Sequence, residues 1–287
     1  MNIIEAIVLG ILQGITEFLP ISSTGHLTVA GKLMHLISPK MPERWTSFIA
    51  IIQLGTLISI LIYFRKDIWN IIKSFLTDNL KERKSFTNQS QNSKTGWLII
   101  IGTIPVVIIG LLFKDIIEGA LTKNLYVISA SLIGLAIILG IAEKTAKFKK
   151  EIKDITIVDS IFIGIAQAFA LIPGSSRSGT TITGGLFVGL NRESAARFSF
   201  LLSIPAILAS GLLQLYEALK FVDPSMILNL IISTVVSGVS GYVAIDFLLK
   251  YLRKNTTFLF IYYRIALGIA IIILLTSGFI QPLGGEL

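Results

Sequence analysis

The chain has no cysteine, only two histidines, and few charges for its 287 residues. Without thiols it can form neither disulfides nor thiolate metal sites, and cysteine usage says nothing of its redox compartment. Asp, Glu, Lys and Arg together make up 15% of the residues, against about 25% in soluble domains. That is too little polar surface to cover a water-facing globule. No Lys or Arg precedes Lys32, and Glu5 opens the first apolar run. A cleaved signal peptide, which begins with a positive segment, is therefore not expected.

Apolar residues dominate instead, at 53% of the chain, with a mean hydropathy of +0.79. Trp97–Phe113, Leu125–Ile141, Phe198–Leu215, Met226–Leu249 and Phe258–Phe279 are each long enough to cross a hydrocarbon layer roughly 30 Å thick. An all-α polytopic membrane protein follows, with one membrane domain over residues 1–287. The net charge of +8 would suit nucleic acid, but the basic residues lie in short loops between apolar spans. Positive loops on the cytoplasmic side explain them better, so the expected partner is the membrane and not nucleic acid. The one long hydrophilic insertion, Thr77–Gly96, reads as a flexible loop.

Compared with itself, the chain repeats. Glu5 through Gln13 matches Asp159 through Gln167 without a gap. With a one-residue slip, Leu19-Pro-Ile-Ser-Ser23 then matches Ile172-Pro-Gly-Ser-Ser176, and Phe48–Gly55 corresponds to Phe198–Pro205. Repeat one covers about 1–113, repeat two about 125–250, and 258–279 is a final span. Each repeat opens with an apolar run broken by Pro and a hydroxyl-rich turn, Pro20–Gly25 or Pro173–Gly179. Such a break frees backbone groups that lipid cannot satisfy, so protein or a water-filled cavity must surround it. Both runs are read as re-entrant helical hairpins, which leaves six transmembrane helices at 48–64, 97–113, 125–141, 198–215, 226–249 and 258–279. Seventeen of the 25 Lys and Arg then fall on one side and six on the other, which puts both termini outside. The first hairpin enters from outside and the second from inside. In such an inverted repeat the broken helices meet near the midplane, where the site is expected.

Gln13 and Glu17 are four apart and share a helix face. A carboxylate in an apolar segment costs roughly 2.5–3.5 kcal/mol at a helix centre and is a functional candidate; its bland alternative is a Glu snorkelling from a helix end. Ser22, Ser23, Thr24, Gly25 and His26 follow as a turn into a helix N-terminus, a natural anion site. Plain capping by Ser or Thr would produce the same turn, but would not require His26, which can serve as base, acid or ligand near neutral pH. In the second repeat Arg177 stands among Ser175, Ser176, Ser178 and Gly179, again before a helix. A guanidinium flanked by hydroxyls suits phosphate oxygens; its structural alternative is to pair with Glu17. Only Ala170 or Leu171 falls opposite Glu17, so the repeats are chemically unequal. An acid–base pair facing a phosphate clamp is what phosphoanhydride cleavage needs. Asp246 and Arg264 are expected to pair across consecutive spans. Trp45, Trp69 and Trp97 are expected in interfacial belts, and His35 at the outer interface.

At these motifs the sequence resembles the undecaprenyl-diphosphate phosphatase, or bacitracin-resistance, family. Gln13-Gly-Ile-Thr-Glu17-Phe-Leu-Pro-Ile-Ser-Ser-Thr-Gly-His26 is similar to its (E/Q)xxxE motif and the turn after it. Pro173-Gly-Ser-Ser-Arg-Ser-Gly179 is similar to its PGxSRSG motif, and Gly102–Pro105 and Phe198–Pro205 also match. The resemblance implies a bacterial plasma-membrane enzyme, open to the outer face, that removes the terminal phosphate of a C55 polyprenyl diphosphate. The monophosphate product carries wall precursors. It also implies a divalent cation, Mg2+ or Ca2+, for which Glu17 is the candidate ligand; Gln at position 13 argues against a paired-carboxylate site. Glu17, Ser23, His26 and Arg177 are the expected catalytic residues. Gln13, Ser22, Thr24, Gly25, Ser175, Ser176, Ser178 and Gly179 are expected to bind substrate. Ser23 could attack phosphorus with His26 as base or acid, or His26 could activate a water; the residue types suit both routes. A polyprenyl-phosphate flippase is the alternative, because inverted repeats with broken helices also build transporters. An anion channel is disfavoured by the carboxylate. A homodimer is compatible with the sequence but not indicated by it.

Overall fold

A computed structural model describes residues 1–37, 41–218 and 224–282. Twelve α-helices run through these residues, and no strand forms among them. The helices are α1 (Ile3–Phe18), α2 (Ser23–Leu33), α3 (Pro42–Tyr63), α4 (Arg65–Leu76), α5 (Gln91–Leu112) and α6 (Lys114–Glu118). They continue as α7 (Leu125–Thr145), α8 (Ile157–Ala168), α9 (Arg177–Phe187), α10 (Arg192–Ala218), α11 (Pro224–Leu252) and α12 (Phe258–Thr276). Six of them, α3, α5, α7, α10, α11 and α12, are long and apolar enough to cross a membrane. They coincide with the six spans expected from the sequence, so the chain is a multi-pass membrane protein.

The other apolar helices are too short to cross. The 11 residues of α2 and of α9 reach only about 17 Å at 1.5 Å per residue, roughly half the hydrocarbon layer. Each is the second arm of a helix–turn–helix pair, α1–α2 or α8–α9. The turns form because the sequence forbids a continuing helix. Pro20 follows Leu19, which has already left the helix at φ −67°, ψ 140°, and Gly174 turns left-handed at φ 86°. Ser22 and Ser176 then sit at φ 75° and 68°, unusual for residues with a Cβ. Each caps the next helix, its Oγ accepting from Gly25 N or Gly179 N at 3.2 Å.

These matched caps correct the repeat register. Ser22 and Ser176 are 154 positions apart, and so are the capping boxes Asn2–Glu5 and Thr156–Asp159 at the starts of α1 and α8. The expected one-residue slip is absent, and the second hairpin follows the first in one register. Ser23 is therefore equivalent to Arg177, and Glu17 to Leu171.

Packing follows the same symmetry: α1 lies along α11 with α3 beside it, and α8 along α5 with α10 beside it. The equivalent Gly10 and Gly164 make both approaches close. A Cβ on Gly10 would come 2.6 Å from Ser233 O, and one on Gly164 would come 2.3 Å from Gly102 O. Lipid gives apolar helices no hydrophobic reason to associate, so close backbone contact through small residues holds them. The helices α7 and α12 pack on each other between the halves.

Three expectations change. Residues 77–96 are not a flexible loop. Thr77–Lys81 continues α4 as a π turn, and the buried Asp78 accepts from Ser90 Oγ at 2.7 Å, Ser90 N at 2.8 Å and Lys84 Nζ at 3.0 Å. Chiefly through the Ser90 hydroxyl, these donors hold the Asp78 carboxyl down at about 2. Asn79 bonds Gln89 and the Trp97 indole, so the polar residues cap α5 instead of solvating a linker. Second, Asp246 and Arg264 do not pair. Asp246 takes Lys250 Nζ at 2.7 Å and Tyr63 Oη at 3.2 Å, because α12 packs along α7 and not along α11. Third, Trp45 is 5% exposed, packed against Gly31 and Phe48 rather than standing in an interfacial belt. Trp69 and His35 are exposed.

Gly164→Val is expected to lower stability by about 1–3 kcal/mol or more, the usual cost of overpacking, read as a lower melting temperature in detergent. Gly134→Ala, whose new methyl meets nothing within 4 Å, should leave it unchanged. Equal melting temperatures for both variants would contradict the α5–α8 packing.

Candidate active site

The two turns meet at one carboxylate. Glu17, on the last turn of α1, is 5% exposed, and both of its oxygens are engaged. Arg177 Nη2 donates to Oε1 at 2.7 Å. Ser23 Oγ donates to Oε2 at 2.7 Å and Gln13 Nε2 at 3.0 Å. Gln53 Nε2, from the middle of α3, stands 3.4 Å from the same oxygen. Ser23 and Arg177 are each the first residue of their helix, α2 and α9. Equivalent positions of the two repeats thus grip the two oxygens of one carboxylate.

The hairpins also touch directly. Ser178 Oγ donates to Leu19 O at 3.0 Å, joining the second turn to the first, and lies 3.2 Å from Ser176 Oγ. Two helix N-termini, with their free N–H groups and positive dipole ends, converge on this point. A buried Glu–Arg pair gains little net stability by itself. Deleting one partner, however, leaves an uncompensated charge at a cost of about 3–5 kcal/mol.

Several buried polar atoms here have no partner: Gln13 Oε1, Ser175 Oγ, Arg177 Nη1, and Nε and Nη1 of Arg264. Gln167, the counterpart of Gln13, is fully buried with both amide atoms unpartnered. Arg264 is fully buried as well, with no carboxylate in ion-pair distance among the described residues. Its Nη2 donates to Ser175 O at 2.9 Å and lies 3.4 Å from Gly174 O, behind the second turn. A Cβ on Gly179 would come 2.7 Å from Arg264 Nη1. The hairpin pair therefore holds two guanidinium groups against one carboxylate, with unused donors among them. Such an environment favours an anion.

The sequence-predicted residues are only partly brought together. Gln13, Glu17, Ser23 and Arg177 share one network, and Ser22, Gly25, Ser176, Ser178 and Gly179 build the turns around it. Ser175 lies in the second turn, and Thr24 is half-buried in the first. His26 does not meet Ser23. Its Nδ1 is 2.7 Å from Ser22 O and its Nε2 is 2.7 Å from Tyr263 Oη on α12. The hydroxyl proton of Ser23 points instead to Glu17. Gln53, Tyr263 and Arg264 were missed; a lone amide in mid-span and a full charge in an apolar helix were the available signals for Gln53 and Arg264. Among the described residues no three His, Asp or Glu side chains cluster as a metal site.

Comparison with known proteins agrees with the motifs. Residues 6–270 match the family described as bacitracin resistance protein BacA. An undecaprenyl-diphosphatase of Syntrophobacter fumaroxidans is 54% identical over 95% of this chain and 97% of its own length. Undecaprenyl-diphosphatases of Chlorobium chlorochromatii and Chlorobaculum tepidum are 49% and 47% identical, over 98% of this chain and all of theirs. With a match spanning nearly the whole chain and relatives similar from end to end, the protein belongs to the bacitracin resistance protein BacA family.

Proposed function

We propose that the protein is an undecaprenyl-diphosphatase of the bacterial plasma membrane, hydrolysing the diphosphate to undecaprenyl phosphate and inorganic phosphate. The observation that carries this is the sharing of the Glu17 carboxylate by Ser23 and Arg177 at two helix N-termini. Relatives that bear this activity in their names support it. The hairpins are re-entrant, and the site opens to the outer leaflet, as the charge asymmetry of the loops suggests.

Substrate would compete with Glu17 for Arg177. Once the guanidinium turns to the phosphate oxygens, helped by the hydroxyls and N–H groups of both turns, Glu17 is free to accept a proton. Ser23 Oγ then attacks the terminal phosphorus while its proton passes to Glu17 Oε2. The bond from that phosphorus to the bridging oxygen breaks, and polyprenyl phosphate departs with the electron pair and takes the proton from Glu17. Water next attacks the phosphoserine. Glu17 takes a proton from the water and returns it to Ser23 Oγ, and phosphate leaves. Phosphoryl transfer depends mostly on positioning and charge neutralisation, and the two arginines and the helix ends supply both.

The donor set also fits a divalent cation held jointly with substrate. Glu17 offers one carboxylate, and Gln13 Oε1 is a buried oxygen with no hydrogen-bond partner. Mg2+ commonly takes one or two carboxylates and completes its shell with phosphates and water. Bound there, Mg2+ or Ca2+ would neutralise charge on the diphosphate.

Purified protein in detergent with Mg2+ is expected to release phosphate from C55 diphosphate. Arg177→Ala and Glu17→Gln should each cut the rate at least about a hundredfold, roughly 2.7 kcal/mol of transition-state stabilisation. A folded wild-type protein that releases nothing would move lipid transport to first place. Acid quench during turnover should trap a phosphoserine at position 23. Failure to trap one, with Ser23→Ala still active, would replace covalent attack by direct attack of water. Chelation by EDTA should abolish release, and added Mg2+ or Ca2+ should restore it; an EDTA-insensitive rate would remove the cation from the site.

A further inference from the structure

The ring of His26 is turned away from the network around Glu17, and its two hydrogen bonds fix its chemistry. A carbonyl oxygen only accepts, so the 2.7 Å contact with Ser22 O puts the ring hydrogen on Nδ1. In the neutral ring Nε2 is then an acceptor, and the Tyr263 hydroxyl, 2.7 Å away, donates to it. The two rings lie parallel within 5°, their centroids 5.6 Å apart. What the ring holds is the carbonyl of Ser22, the residue at φ 75° that caps α2 and directly precedes Ser23. Tyr263 therefore reaches the Ser22–Ser23 turn through His26.

Its neighbour on α12 does the same for the other hairpin. Arg264 Nη2 donates to the carbonyl of Ser175, which directly precedes Ser176 at φ 68°. The second repeat has Thr180 where the first has His26, and its hydroxyl bonds within its own helix, to Arg177 O at 3.0 Å. The repeat symmetry is thus broken in a complementary way. One turn is braced from α12 through a histidine ring, the other by a guanidinium directly.

We propose that Tyr263 is a positioning residue: it locks His26 in the Nδ1–H tautomer and, with Arg264, makes α12 a brace that holds Ser23 and Arg177 in register across the pseudo-twofold. For the neutral ring the tautomer follows from the contact with the Ser22 carbonyl; the kinetic consequence rests on the phosphatase reading. Fixing a ring nitrogen by the bond its partner nitrogen makes is the means by which outer residues orient histidines elsewhere.

The chain has two histidines, so a His35→Asn protein, altered only at an exposed position, carries His26 as its sole imidazole. Nitrogen-15 spectra of that protein in nanodiscs are expected to show a protonated Nδ1 and a hydrogen-bonded, unprotonated Nε2. Adding Tyr263→Phe, which keeps the ring, should move the Nε2 signal to that of a free acceptor. The same change should lower kcat for C55 diphosphate about tenfold, with KM within twofold. The losses from Tyr263→Phe and His26→Gln should overlap instead of adding when combined. An Nε2–H tautomer in the His35→Asn protein would overturn the proposal without need of the Tyr263 variant, as would wild-type kcat in a folded Tyr263→Phe protein. If the parent enzyme released no phosphate, the phosphatase reading would fall, and the spectra would still decide the tautomer.

Discussion

The contact on which the rest depends is the one between Glu17 and Arg177. They are 160 residues apart in the chain, yet their charged atoms lie 2.7 Å apart in an apolar interior. Neither could stay buried alone at tolerable cost. The pair therefore requires both hairpins to arrive at the same depth and the same point. Everything that aligns the hairpins, from the glycine-lined packing of α1 and α8 to the bonds from α12, serves that meeting.

The inverted repeat makes such a meeting easy to build. Two copies of one broken helix, related by a pseudo-twofold, place their turns at a common centre without further instruction. Symmetry supplies two helix N-termini, two capping serines and two left-handed turns. Function then needs the copies to differ. Position 17 is a carboxylate where its counterpart, position 171, is an apolar Leu. Ser23 is matched by Arg177, and His26 by Thr180. Each substitution gives one copy a group that the other lacks, so a symmetric scaffold holds a chemically asymmetric site, with a carboxylate and a serine hydroxyl from one copy and a guanidinium from the other.

Charge placement tells the same story at larger scale. The lone carboxylate at the centre pairs with Arg177, and Arg264 is buried behind the second turn on the carbonyl of Ser175, so the hairpin pair carries a surplus of positive charge in an apolar interior. In water such a surplus would be screened. In a low-dielectric interior it persists, and it becomes useful once an anionic headgroup enters. Of the atoms that lack partners in the protein alone, the donors Arg177 Nη1 and Ser175 Oγ are the kind a diphosphate could satisfy.

Much of this was legible in the chain. Six long apolar runs can only be spans, and two Pro-broken runs with hydroxyl turns can only be packed interruptions, because lipid satisfies no backbone group. The repeat and the unequal placement of Glu17 and Arg177 could be read by comparing the sequence with itself. Tertiary structure alone decided the rest. Asp246 and Arg264 looked like partners because they sit at similar depths on consecutive spans, but which spans touch depends on helix crossing, and α12 crosses to α7. His26 looked like the base for Ser23 because it is three residues away. Residues three apart share a helix face, but the direction in which a ring turns is set by whatever partner packs there, and that partner, Tyr263, lies 237 residues on. Residues 77–96 looked loose because they are polar, until Asp78 found Ser90 across the turn. A sequence records periodicity, charge and breakage along the chain; it does not record which distant side chain completes a hydrogen bond, because that depends on how every intervening helix packs.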